Sequence, residues 1–100
     1  MAEHPLAALE KIDPGLRKHL DEVSEFVYGP GVLPRKFKIL IAMAFDAAHG
    51  AVPGVKALAQ AAINCGATKE EIAEVLRVAY YLGGVGTFYT ASAGLRDLGL

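Results

Sequence analysis

The chain carries a single cysteine, Cys65, and no tryptophan. One thiol cannot close an intrachain disulfide, and with histidines only at positions 4, 19 and 49 there is no spacing suited to a structural metal site. Reactive cysteines gather at helix N-termini or beside cations. Cys65 instead falls in the last turn of a predicted helix, where a packing role as a small buried hydrophobe is expected over a redox one. Charge of either sign is also scarce. Ten Lys and Arg against eleven Asp and Glu leave a net charge of −1, without a basic stripe, so no electrostatic footprint for nucleic acid is present. A long unbroken apolar run is missing too. Residues Val78 to Leu95 are uncharged, but Gly83, Gly84, Gly86 and Gly94 interrupt them together with several hydroxyls, which predicts a broken pair of buried helices and no membrane span. The opening Met1-Ala2-Glu3-His4-Pro5 lacks the charged segment and apolar core of a secretory leader, so a cytoplasmic location is expected. No cofactor motif is found. Gly83-Gly84-Val85-Gly86 has neither the preceding strand nor the spacing of a dinucleotide loop.

What the chain does have is apolar residues, at 53%, against 21% charged. One hundred residues make one small domain, spanning 1–100, with much surface to cover. That composition is richer than a small interior needs, so part of the apolar surface is expected to be buried between subunits of a homo-oligomer.

The organisation is all-helical, with about five helices and no convincing strand. Asp13-Pro14 reads as an N-cap followed by proline at the first helical position, and Leu16, Leu20, Val23, Phe26 and Val27 repeat at helical spacing up to the Gly29-Pro30-Gly31 break. Pro34 opens a second helix whose Phe37–Phe45 stretch is apolar nearly all round, so it should be central and covered on both sides. A third helix is predicted from about Pro53 to Cys65, a fourth from Lys69 to Leu82 and a fifth from Thr87 to Asp97. Thr68 and Glu71 form a capping box at the start of the fourth, and Gly66 supplies the left-handed stop of the third.

The order of Leu33-Pro34-Arg35-Lys36, an apolar helix, Gly50, the helix ending at Asn64 and then Gly66-Ala67-Thr68-Lys69-Glu70-Glu71-Ile72 resembles the carboxymuconolactone decarboxylase and alkylhydroperoxidase D-like family, as does the Tyr80-Tyr81-Leu82-Gly83-Gly84 ending. The resemblance spans about residues 33–95. It implies an alkylhydroperoxidase D-like helical bundle assembling as a dimer, trimer or ring of six, acting on or binding a small organic acid or lactone. Peroxidase members carry a Cys-x-x-Cys-x-x-x-His run with a helper Glu upstream, and those positions fall here on Ala51, Gly54, Leu58 and Ile39. A thiol peroxidase needs a thiolate to attack peroxide, a second thiol to resolve the sulfenic acid and a base to ionise the first. None of these groups is present at the matching positions, so the cysteine peroxidase cycle is excluded. Decarboxylase-type members are expected to keep the His, and Leu58 cannot move a proton.

The second helix turns Phe37, Ile41, Ala44 and Ala48 one way and Ile39, Ala42, Met43, Asp46 and His49 the other. Asp46 and His49, three residues apart near the family's site, are the candidate acid–base pair, in which the carboxylate would orient the imidazole. The alternative is a solvated carboxylate and a histidine favoured at a helix C-terminus. Ile39, Met43, Ala51, Gly54 and Leu58 would line either a packed core or a hydrophobic pocket. Tyr80, Tyr81, Thr87 and Tyr89 flank the glycine break, where they could border a ligand site or pack at a subunit interface. Arg35, Lys36 and Lys38 crowd a helix N-terminus, which disfavours cations, so they either meet an anionic ligand or pair with acidic groups such as Glu22 or Glu25.

Overall fold

The computed structural model describes residues 4–100. Most of the Met1–Pro5 segment, on which the expected absence of a secretory leader rests, lies outside the described residues. Six helices follow one another: α1 (Ala7–Ile12), α2 (Pro14–Tyr28), α3 (Arg35–Ala48), α4 (Val52–Asn64), α5 (Lys69–Gly83) and α6 (Gly86–Leu95), with no strand among the described residues.

The sequence-based expectation of about five helices missed α1. That helix is a single short stretch without a side-chain cap or a buried residue, so neither periodicity nor capping chemistry announces it. The other starts follow local chemistry. Asp13 accepts from the Leu16 backbone N–H ahead of Pro14, and at α5 the capping box is complete: Glu71 N–H donates to Thr68 Oγ1 (3.1 Å) and Thr68 N–H donates to Glu71 Oε1 (2.9 Å). Gly66 takes φ +95° and lets α4 turn directly into α5.

α3 is the central helix and packs on α4, α5 and α6. Its inner face, Ile39, Leu40, Met43 and Ala47, meets Val55, Ala59 and Ala62 of α4, Ile72 and Leu76 of α5 and Ala91 of α6 in one core. α6 crosses α4 closely because Gly94 has no side chain: a Cβ there would stand 2.7 Å from Val55 Cγ1.

One expectation is corrected by the packing. α3 is covered on one side only, since Phe37, Ile41 and Phe45 remain exposed on the face opposite α4. α2 is amphipathic as its periodicity says, yet not one of its residues is buried. It rests on α1 and lightly on α3, leaving Leu16, Leu20, Val23 and Val27 half-exposed and Phe26 88% exposed. Its C-terminus is held by Lys38, whose Nζ donates to the carbonyls of Val27 (2.9 Å) and Gly29 (2.8 Å).

Candidate functional site

The face of α3 left open by the core forms one wall of a groove, and α5 forms the other. The groove widens at the C-terminal end of both helices into a pocket of about 540 Å³ lined by Ile41, Ala44, Phe45, Ala48 and His49 from α3 and by Val75, Val78, Ala79, Leu82 and Gly83 from α5. Toward the N-terminal end it continues past Phe37, Leu40, Glu71 and Glu74 as a smaller recess of about 330 Å³. The walls of the wide pocket are aliphatic and aromatic, and His49 is the one ionisable group among them. Such a surface holds an apolar body by burial and offers a single polar contact at its rim.

His49 caps the C-terminus of α3, its N–H donating to the Phe45 carbonyl (3.0 Å), and its ring lies tilted at 54° against Phe45 with centroids 6.1 Å apart. It is exposed and turned to the groove. Asp46 goes elsewhere. Its carboxylate lies against Gly54 in the first turn of α4, so close that a Cβ at Gly54 would overlap Oδ2 and stand 2.8 Å from Cγ. No hydrogen bond or ion pair joins Asp46 to His49 among the described residues. The expected pair is therefore not formed in the structure. A spacing of three residues places two side chains on neighbouring tracks only while the helix continues, and the backbone leaves helical register at His49 (φ −93°, ψ 2°).

Of the residues expected to line the family's site, Ile39, Met43 and Leu58 take the core alternative. Ile39 and Met43 are closed in, Met43 with 0% exposure, and Leu58 packs against the same cluster. They line neither the wide pocket nor the recess, because α4 and α6 pack against that face of α3. Ala51 caps α4, and the space a side chain at Gly54 would need is held by the Asp46 carboxylate.

At the glycine break Tyr80 stacks on Phe88 with centroids 4.5 Å apart and 10° between planes, while Tyr81 (84%) and Tyr89 (77%) stand in solvent. Thr87 is 1% exposed, its hydroxyl has no hydrogen-bond partner among the described residues, and it abuts Gly83. Cys65 is exposed, contrary to the buried role expected of it. The basic cluster is internally satisfied: Lys36 pairs with Glu71 at 3.0 Å, Lys38 holds the end of α2, and the Arg35 guanidinium lies 6.0 Å from the Tyr28 ring. Hydrogen bonding from the Thr68 backbone, and then Lys36, holds the Glu71 carboxyl below its usual 4.5. No group of three or more His, Cys, Asp or Glu suited to a metal occurs among the described residues, and no helix there is long and apolar enough to cross a membrane.

Of the candidate site residues expected from sequence, only His49 lines the groove. A signal for the rest was available. Phe37, Ile41, Ala44 and Ala48 form a continuous apolar track, and so do Val75, Val78 and Leu82, but nothing local says whether another helix covers them.

Comparison with known proteins agrees with this architecture. The family model described as Carboxymuconolactone decarboxylase family matches residues 14–97, reaching back across α2. A crystal structure of the apo form of a carboxymuconolactone decarboxylase family protein from Legionella pneumophila superposes with a TM-score of 0.83 at 31% sequence identity, covering 91% of this chain and 81% of that one. None of the curated proteins matches the chain in sequence. With most of its length matched by the family model and its helices superposing on a member, the chain belongs to the carboxymuconolactone decarboxylase family.

Proposed function

We propose that this chain binds a small, largely apolar organic acid or lactone in the α3–α5 groove, without cysteine chemistry. The observation that carries the reading is the apolar pocket of about 540 Å³ whose single ionisable lining group is His49. An apolar ring or chain would fill the space between Phe45, Val78 and Leu82, and the imidazole would hold the carboxylate or lactone oxygen at the rim. A decarboxylase-type step breaks a carbon–carbon bond, releases carbon dioxide and leaves a carbanion that must take up a proton. His49 is the one lining side chain able to deliver it. Asp46 then serves as the structural partner of Gly54, outside the pocket.

The test is titration calorimetry with benzoate and with muconolactone as probes. Saturable binding of at least one of them is expected, weakened at least tenfold by His49→Ala and unchanged by Asp46→Ala. Loss of binding in Asp46→Ala with none in His49→Ala would move the site to the α3–α4 seam. Absence of binding for both probes in the unsubstituted protein would overturn the reading.

A further inference from the structure

Among the described residues one polar side chain is sealed inside the fold with nothing to bond. Thr87 is 1% exposed, in a core otherwise made of apolar residues, and its Oγ1 has no hydrogen-bond partner there. Its position does not ask for a hydroxyl. Thr87, Ala91 and Gly94 form the buried stripe of α6, and a valine of the same branched shape would fill the first place in it without a polar atom. Nor does the hydroxyl cap the helix. The N-cap is Val85, and the Thr87 backbone N–H already donates to the Gly84 carbonyl (3.1 Å). A buried hydroxyl without a partner destabilises the fold that holds it, so its presence points to a role outside packing.

The surroundings tie this hydroxyl to the wide pocket. A Cβ on Gly83 would stand 2.7 Å from Thr87 Oγ1 and 3.0 Å from Ala48 Cβ. Gly83 and Ala48 both line the pocket, one from each wall, and His49 directly follows Ala48. The hydroxyl therefore lies behind the seam where α3 and α5 close the wide end. Glycine at position 83 puts main chain there and no side chain. That main chain ends α5 and runs into Gly84, which takes φ +88° with no atom within 4 Å of its Cβ position, so side-chain packing does not pin it.

We propose that Thr87 Oγ1 is the second polar anchor of the ligand, bonding an oxygen that enters the wide end of the pocket between Ala48 and Gly83. The proposal rests on the reading of that pocket as the ligand site and adds a rule of selection to it. His49 takes the carboxylate at the rim. The hydroxyl answers a further oxygen function, donating to a lactone carbonyl or accepting from a ligand hydroxyl. An acid whose far end is all hydrocarbon offers Thr87 nothing, and a site that hydrogen-bonds a substrate oxygen discriminates on that oxygen.

Titration calorimetry with muconolactone and benzoate tests this, since both carry a carboxylate and only muconolactone carries a further oxygen function, in its lactone ring. The unsubstituted protein is expected to bind muconolactone about fivefold more tightly than benzoate. Thr87→Val should remove that preference with benzoate affinity unchanged, and Thr87→Ser should keep it. Urea denaturation separates binding from packing. Because valine removes an unpaired polar atom, Thr87→Val should unfold at the same or a higher urea concentration than the unsubstituted protein. A preference that survives Thr87→Val, an equal loss for both probes, or benzoate bound as tightly as muconolactone overturns the proposal and leaves the pocket as the ligand site. A lower urea midpoint for Thr87→Val also overturns it, because the hydroxyl would then be bonded within the fold. A protein that binds neither probe overturns both readings.

Discussion

Gly54 and Asp46 illustrate how a missing side chain can be replaced by one from elsewhere. The carboxylate occupies the volume that a residue at position 54 would fill, so the two positions are energetically coupled. Alanine in a helix interior is favoured over glycine by about 1 kcal/mol. In the unsubstituted protein that gain is opposed, because a methyl at 54 forces Asp46 to turn away. Gly54→Ala is therefore expected to change stability little, within about 1 kcal/mol, whereas in an Asp46→Ala background it should stabilise by about 0.5–1 kcal/mol. Urea denaturation of the four proteins measures the difference, and simple additivity would show that the contact is not felt. From sequence the absence of cysteine and histidine at Ala51, Gly54 and Leu58 could be read directly. That Asp46 fills the gap could not, because it depends on how closely α4 approaches the last turns of α3.

At the scale of the element, helix starts were legible wherever side chains bond their own backbone. Thr68 and Glu71 are the clearest case, and removing the cap with Thr68→Ala is expected to cost about 1 kcal/mol. The charge on Glu71 adds a pH dependence. Its carboxyl titrates below its usual value in the folded chain, so the unfolded chain binds the proton first as pH falls. The stabilisation is present above about pH 4.5 and is lost as pH drops through the lowered folded value. Glu71→Gln keeps the capping hydrogen bond but not the charge, and it should flatten the acid limb of a stability curve followed by circular dichroism. An unchanged limb would mean that the Lys36 contact and the cap contribute no net charge preference. The α1 segment and the open side of α3 were not legible. Six residues give too few turns for a period, and an apolar track on α3 looks the same whether its own chain or another covers it.

For the whole molecule, the composition already pointed to more apolar surface than one small interior can absorb. The structure distributes that surplus onto α2, the α3–α5 groove and the aromatics near the glycine break. If a second copy covers the first two, folding and association are linked, and the midpoint of thermal unfolding rises with protein concentration. Scans over a hundredfold range of concentration should resolve the shift, and Leu20→Glu should abolish it. A concentration-independent midpoint in the unsubstituted protein would mean that the monomer carries its own stability.

Lys38 gives the arrangement a mechanical aspect. The helix that reaches outward touches the body only lightly, and one ammonium group grips the carbonyls of Val27 and Gly29 at its base. That grip works as a fulcrum: a small change of angle there is magnified along the lever of α2, so the direction in which α2 presents its apolar side is set by a residue that lies on another helix.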